Sequence, residues 1–281
     1  MNKSQMKYVL FIACAFLLSL LAGIPSARAD SPTLPTPRAP TGGQLTFLPL
    51  IERNINSWPM VGANLERTSW TREEVRGNLS VEWYHPIEPF IPSKVQLIAE
   101  NDKIYVSTAR GLYAFYSANG SLAWVFPTEM PLGHSPTIAA AGGKNVAFVG
   151  GEDHKMYALD AQTGQPLAGY TPFQAGAGFE TNPLVINNTI YAGNRDGNFY
   201  ALDAVTGALK WNYATNGPVL FSAAYRNGVV YFASNDSYAY ALDASSGALV
   251  WKSAKFPGAG FQAFWPVIYT EKASGKVYVI F

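Results

Sequence analysis

The chain has 281 residues, of which 48% are hydrophobic, 14% aromatic and only 14% charged, a composition that excludes disorder or coiled coil for its main body. Twenty Lys and Arg stand against 19 Asp and Glu, a formal net charge of +1, so no basic field exists to gather nucleic acid or an anionic membrane surface.

Residues 1–29 read as a secretory signal peptide. Lys3 and Lys7 supply the positive start, Tyr8 to Leu21 the apolar run and Ala27-Arg28-Ala29 the small-x-small cleavage site. A transmembrane anchor is the weaker reading, because the run from Tyr8 to Ile24 is at or below the ~17 to 25 residues that cross a bilayer. The expected mature chain begins at Asp30, spans no membrane and is exported to a periplasm, a cell surface or the medium. Cys14, the single cysteine, sits inside the apolar run with more apolar sequence after it, the wrong place for a lipid acceptor. Losing the leader leaves 17 Lys and Arg against 19 Asp and Glu and no cysteine at all, which excludes disulfides, thiol catalysis and cysteine metal sites.

Residues 30–56 form a linker rich in Pro and Thr, with prolines at 32, 35, 37 and 40 that favour extended chain, followed by the apolar run Leu45 to Ile51. Residues 57–80 form a lead-in without a hydrophobic period, containing Ser57 to Thr68 (SWPMVGANLERT).

An internal repeat governs residues 81–281. Four segments align without gaps: Ala114 to Trp124 (AFYSANGSLAW), Ala158 to Ala168 (ALDAQTGQPLA), Ala201 to Trp211 (ALDAVTGALKW) and Ala241 to Trp251 (ALDASSGALVW). Their starts lie 44, 43 and 40 residues apart, the length of a four-stranded propeller blade. In the third repeat Leu184 to Ile186, Thr189 to Ala192, Phe199 to Asp203 and Ala208 to Tyr213 read as four strands, with Asn187-Asn188 as the first turn. Asn101-Asp102, Gly142-Gly143 and Asn227-Gly228 are the matching turns, all types that accept positive φ. The fold class is therefore all-β, antiparallel, with four strands per unit.

Large and small residues alternate in each third strand, Tyr157 and Leu159 around Ala158, Tyr200 and Leu202 around Ala201, Tyr240 and Leu242 around Ala241, so both faces are covered by different neighbours. Asp160, Asp203 and Asp243 are placed to accept backbone amides of the following turn, and Gly120, Gly164, Gly207 and Gly247 to take the left-handed conformation that closes it. A turn repeated three times explains the three acids better than metal ligation or acid catalysis does. Trp124, Trp211 and Trp251 each follow a turn glycine by four residues, and an indole burying ~150 to 250 Å² should bridge adjacent blades. Ala168 interrupts the series, so that junction should be weaker or filled from elsewhere.

The pattern Ala-x-Asp-x-x-Thr-Gly-x-x-x-Trp resembles the tryptophan-docking motif of the pyrroloquinoline-quinone-like (PQQ-like) β-propeller repeat family. Residues 201–211 match it throughout, 241–251 differ by Ser246, 158–168 lack the Trp, and 114–124 carry Tyr116 and Asn119 in place of Asp and Thr. Ser57 to Thr68 is similar to the Trp-Pro lead-in of such propellers. The resemblance implies one of two activities. In the first, the chain is a non-catalytic interaction module, like the propeller lipoprotein of the outer-membrane assembly machinery, binding a protein partner or another surface ligand with no cofactor. In the second, it is the amino-terminal part of a quinoprotein dehydrogenase, which implies pyrroloquinoline quinone with calcium at the propeller axis.

Four full repeats and part of a fifth, Phe264 to Phe281, make the expected propeller incomplete, and Trp83 looks like the fourth-strand Trp of a blade whose inner strands lie elsewhere. Glu152-Asp153-His154 and Asn194 to Asn198 read as solvated turns, and His85, His134 and His154, which lack ligand spacing, as surface or loop residues.

Overall fold

Two-residue turns set the strand lengths. In the computed structural model, which describes residues 57–70, 81–87, 89–257, 261 and 265–281, Asn101 and Asp102 have φ of 51° and 60°, Asn187 and Asn188 48° and 56°, Asn227 and Gly228 48° and 83°, and Gly142 and Gly143 57° and 77°. Positive φ at both central residues is the geometry whose twist matches that of paired strands. The leader expected at 1–29 and the linker at 30–56 lie outside the described residues, as do 71–80 of the lead-in.

The strands form four complete antiparallel blades, each in chain order, and part of a fifth. Blade 1 holds β1 (Ile98–Glu100), β2 (Lys103–Thr108), β3 (Gly111–Tyr116) and β4 (Leu122–Pro127). Blade 2 holds β5 (Thr137–Ala141), β6 (Lys144–Gly150), β7 (Lys155–Asp160) and the two-residue β8 (Phe173–Gln174). Blade 3 holds β9 (Leu184–Ile186), β10 (Thr189–Gly193), β11 (Asn198–Asp203) and β12 (Leu209–Ala214). Blade 4 holds β13 (Ala224–Arg226), β14 (Val229–Ser234), β15 (Tyr238–Asp243) and β16 (Leu249–Lys252), and β17 (Val267–Thr270) pairs with β18 (Val277–Ile280). The first strands converge, β1 on β5, β5 on β9 and β13 on β17, which makes them the inner strands of an all-β propeller arc.

The three hydrophobic cores are the three junctions between complete blades. Tyr105, Ala114 and Trp124 of blade 1 meet Ile138, Val149 and Leu159 of blade 2; Phe148 and Met156 of blade 2 meet Ile190 and Leu202 of blade 3; Phe199 and Ala201 of blade 3 meet Phe232 and Leu242 of blade 4. Alternation along the third strand produces this arrangement. Leu112 and Ala114 face the following blade, while Leu159 faces the preceding one. Phe199 and Phe232 stack with centroids 4.1 Å apart across the third junction.

Trp124, Trp211 and Trp251 stand opposite Ala114, Ala201 and Ala241 across the third and fourth strands, and the register shifts by a bulge directly after each alanine. The indole of Trp124 reaches into blade 2, donates from Nε1 to the Ala161 carbonyl at 3.1 Å and lies on the turn at Gly164, where a Cβ would come within 2.6 Å of the ring. Trp211 repeats this on blade 4, with 3.2 Å to the Ala244 carbonyl and 2.7 Å between its ring and a Cβ at Gly247. Tyr105 and Tyr191 donate to the same two carbonyls. Only glycine fits beneath an indole there, since the space is taken and φ is 73° at both positions.

Blade 2 has Ala168 in place of the Trp, and there the fourth strand is broken: Leu159 bridges Pro166, Gly169 takes φ of 82°, and pairing resumes only at Phe173. Tyr170 turns back into the core, donating to the Met156 carbonyl at 3.1 Å, and the amide of Thr171 donates to the Thr206 carbonyl at 3.0 Å. The turn at Gly207 is thus covered by backbone, the Thr171 oxygen standing 2.0 Å from where a Cβ would be.

Candidate functional site

The candidate site begins with the lead-in, the stretch without a period. Trp58 pairs with Ala99 of β1, the Pro59 carbonyl accepts from Ile138 of β5 at 2.8 Å, Leu65 from Tyr225 of β13 at 2.8 Å and Glu66 from Ile268 of β17 at 3.0 Å. Four first strands are therefore tied to one short segment, and Arg67 ties the remaining blade. Its guanidinium, fully buried, donates from Nη1 to Asn182 Oδ1 and to the Val61 carbonyl at 2.5 Å each, and from Nε to the Ala223 carbonyl at 2.8 Å. Burial lowers the Arg67 pKa to about 9, which leaves it charged at neutral pH.

Asn182 relays the network. Its Nδ2 donates to the carbonyls of Ser135 (2.9 Å) and Pro136 (3.1 Å) and to Thr137 Oγ1 (3.0 Å), its amide donates to Ser222 Oγ (2.8 Å), and Thr137 Oγ1 donates on to the Pro183 carbonyl (2.6 Å). Ser135 Oγ both accepts from and donates to the backbone of Gln96. Arg67, Asn182, Thr137 and Ser135 thus spend their side-chain donors within this hub, and the chain has to bend sharply to deliver it: Ala63, Arg67 and Ser69 all have positive φ.

Beside the hub lies His134, in a loop as expected but buried rather than at the surface, its Nδ1 accepting the Ser135 amide at 2.8 Å. Burial first, then the cationic Arg67 and Lys94, depress its pKa to about 3. The unfolded chain binds this proton below about pH 6.5 and the folded chain does not, so the stability His134 preserves at neutral pH declines as pH falls through 6.5 toward 3. From pH 7 to pH 5 the expected loss is about 2 kcal/mol. His134→Asn, which keeps an acceptor and cannot titrate, should remove most of that slope in urea unfolding; an unchanged slope would assign it to other groups.

Toward the outer turns the structure adds pairings that sequence reasoning passed over. Asp153, Asp196 and Asp236 each accept a phenol from four residues on, Tyr157, Tyr200 at 2.6 Å and Tyr240 at 2.5 Å. Burial and then the carboxylate raise all three tyrosine pKa values. Arg195 bridges Glu152 and Glu180, and Lys94 also meets Glu180 at 3.4 Å, which links the loops of blades 1, 2 and 3.

The fourteen repeat residues do not converge; they recur one set per blade. Ala158 and Ala241, like Ala114 and Ala201, are buried in third strands, while Gly120, Gly164, Gly207 and Gly247 occupy the turns at φ of 69° to 80°. Asp203 accepts from the amides of Val205 and Thr206 at 3.0 and 2.9 Å, and Asp160 and Asp243 do the same in their own turns. The hydroxyls of Ser245 and Ser246 hold Asp243 down at about 2. Among the described residues no three His, Cys, Asp or Glu side chains are grouped as metal ligands. A pocket of about 620 Å³ opens at the outer flank of blade 1, lined by His85, Phe90, Arg110, Tyr113, Phe115 and Leu122 among others.

A family model described as outer membrane protein assembly factor BamB matches residues 80–176 and 171–280. No curated protein matches the chain. Among solved structures, a quinohemoprotein alcohol dehydrogenase of Pseudomonas putida HK5 is similar over 80% of this chain and 44% of its own, at 17% identity and a TM-score of 0.65. A quinohemoprotein alcohol dehydrogenase of Comamonas testosteroni covers 80% of this chain and 45% of its own at 16% identity and TM-score 0.64, and a europium-containing methanol dehydrogenase 81% and 54% at 14% and 0.66. The chain spans about half the length of these structures, and at such identities they establish the fold alone.

Proposed function

The chain belongs to the PQQ-like propeller repeat family represented by the outer membrane protein assembly factor BamB, and from that membership we propose that it is an exported, non-catalytic scaffold that binds other polypeptides. The observation that carries this reading is the hub. The place where the first strands converge is filled by Arg67 and the side chains bonded to it.

Pyrroloquinoline quinone with calcium does not fit that donor set. Calcium takes about six to eight oxygen ligands, carboxylates among them, whereas the convergent oxygens among the described residues are carbonyls, one amide and hydroxyls already committed to a guanidinium and to one another. A fully buried cation at the same place opposes a second one. The amphipathic tyrosines and the apolar groups on the outer flanks, Phe90 and Tyr84 above all, are the kind of surface that holds a protein.

The test is calorimetric titration of the full chain with pyrroloquinoline quinone and calcium, followed by dye-linked oxidation of primary alcohols. The expected result is no saturable heat and no turnover. Binding near one quinone per chain, with oxidation, would overturn the reading in favour of a dehydrogenase.

A further inference from the structure

The junction between blades 1 and 2 departs from the other two at one corner, where the turn at Asn101 and Asp102 meets the turn that follows Asp160. The second residue of each second strand faces the preceding blade. In blades 3 and 4 it is Ile190 or Val230, each fully buried in a junction core, and in blade 2 it is Asn145, which is exposed. The second residue after the motif aspartate shows the same change. Val205 closes the next junction over the Gly142 turn, its Cγ1 3.6 Å from where a Cβ of Gly142 would stand, whereas the first junction has Gln162. Two amides thus replace two aliphatic side chains, and a polar cleft of about 200 Å³ stays open between them, lined by Asn101, Tyr105, Lys144, Asn145, Asp160 and Gln162. Both blades that form it are complete.

The groups of the cleft are fixed in advance. Lys103 is 3% exposed and, because Tyr116 holds the place of the motif aspartate opposite it, its Nζ donates instead to Gln162 Oε1 at 2.7 Å and lies 5.6 Å from the centre of the Tyr116 ring. An ammonium only donates, so Gln162 keeps its oxygen on Lys103 and its NH2 turned away, available as a donor. Asp160 accepts the amides of Gln162 and Thr163 at Oδ1, while its Oδ2 meets Lys144 at 3.1 Å. The Tyr105 hydroxyl donates across the junction to the Ala161 carbonyl, which leaves its oxygen to accept. Asn101 and Asn145 add side-chain amides that both donate and accept. A small anion would face the Asp160 carboxylate, and a cation the ammonium groups of Lys103 and Lys144. A hydroxyl group donates and accepts at once, which is what this mixed set asks for. The space is below the ~300 to 1,000 Å³ of drug-sized ligands, so it suits a single ring. We propose that this corner binds a neutral hydroxylated ligand, one sugar residue of a glycan, held by Asn101, Asn145 and Gln162 with the Lys144–Asp160 pair bridging neighbouring hydroxyls. The proposal goes beyond the scaffold reading and does not rest on it.

The test is a nuclear magnetic resonance titration of the isotope-labelled full chain with glucose, galactose, mannose and N-acetylglucosamine, followed at the side-chain amide signals of Asn101, Asn145 and Gln162. Saturable shifts of these signals in the millimolar range are expected with at least one sugar. Asn145→Ile, which installs the residue type of Ile190, should abolish them while the chain stays folded. Gln162→Glu gives Lys103 a carboxylate and removes the outward NH2. It should therefore raise the melting temperature yet weaken sugar binding about fivefold, the worth of one hydrogen bond. No saturation with any of the four sugars overturns the proposal, as do shifts that survive Asn145→Ile in a folded chain. Saturation by sodium acetate or sodium phosphate in place of the sugars would make the cleft an anion site and overturn the neutral ligand. Where Asn145→Ile fails to fold, Gln162→Glu decides, an unchanged affinity there overturning the proposal.

Discussion

Arg67→Ala is expected to lower the unfolding free energy by about 4 kcal/mol, since three charge-assisted bonds at ~1.5 to 3 kcal/mol each are lost and only partly offset by no longer burying a charge. The substitution strands Asn182 Oδ1 and the carbonyls of Val61 and Ala223 in a place water cannot reach. Against a typical total of ~5 to 15 kcal/mol this is a large fraction, and the melting temperature should fall by roughly 10 °C. Arg67→Lys should recover less than half, because a single ammonium cannot address acceptors on three sides. Thermal and urea melts of the three proteins decide it. A loss under about 1 kcal/mol for the alanine variant would mean that the lead-in decorates the blades rather than holding them.

The second large effect separates tryptophans that the sequence treats alike. Trp124 is 8% exposed and bonded to the neighbouring blade, whereas Trp251, in the same motif position, is 36% exposed and meets Phe281 edge-on at 6.5 Å. Trp124→Ala should cost about 3 to 5 kcal/mol and Trp251→Ala under about 1, with Trp211→Ala between them. Equal costs for Trp124 and Trp251 in urea unfolding would show that the indoles contribute within their own blades and that the bonds to Ala161 and Ala244 are incidental.

Most of the strand plan could be read from the sequence because it rests on local chemistry. In blade 3 the strands expected at 184–186, 189–192, 199–203 and 208–213 match β9 to β12 within one residue at each end, since Asn187-Asn188 and Gly207 punctuate them. The hub could not be read. Arg67 finds its partners 115 and 156 residues away, and no period or spacing within the lead-in encodes so distant a bond. The burial of His134 within its loop could not be read for the same reason, since the cations that face it, Arg67 and Lys94, are remote in the sequence. The replacement of a tryptophan by Tyr170 was hidden by the outward step at Gly169, which shifts the aromatic by two places. The Asp-x-x-x-Tyr pairs were legible and overlooked: Asp153 and Tyr157, Asp196 and Tyr200, and Asp236 and Tyr240 recur in three successive repeats.

Distance along the chain also orders events in time. A ribosome releases Trp58 to Ser69 before any blade, yet Ala223 and Ile268, which this segment must bond, emerge only after blades 3 and 4 respectively. Each blade closes through neighbours a few residues apart and is quick to form, while the hub has to gather loops of more than a hundred residues. This segment, made before the blades, is therefore the last to settle, and until it does the inner edges of finished blades stand open. A chain stalled before blade 4 would hold folded β-sheets around an unfilled centre with the Arg67 segment still at large, the state in which such an arc is most exposed to misassembly.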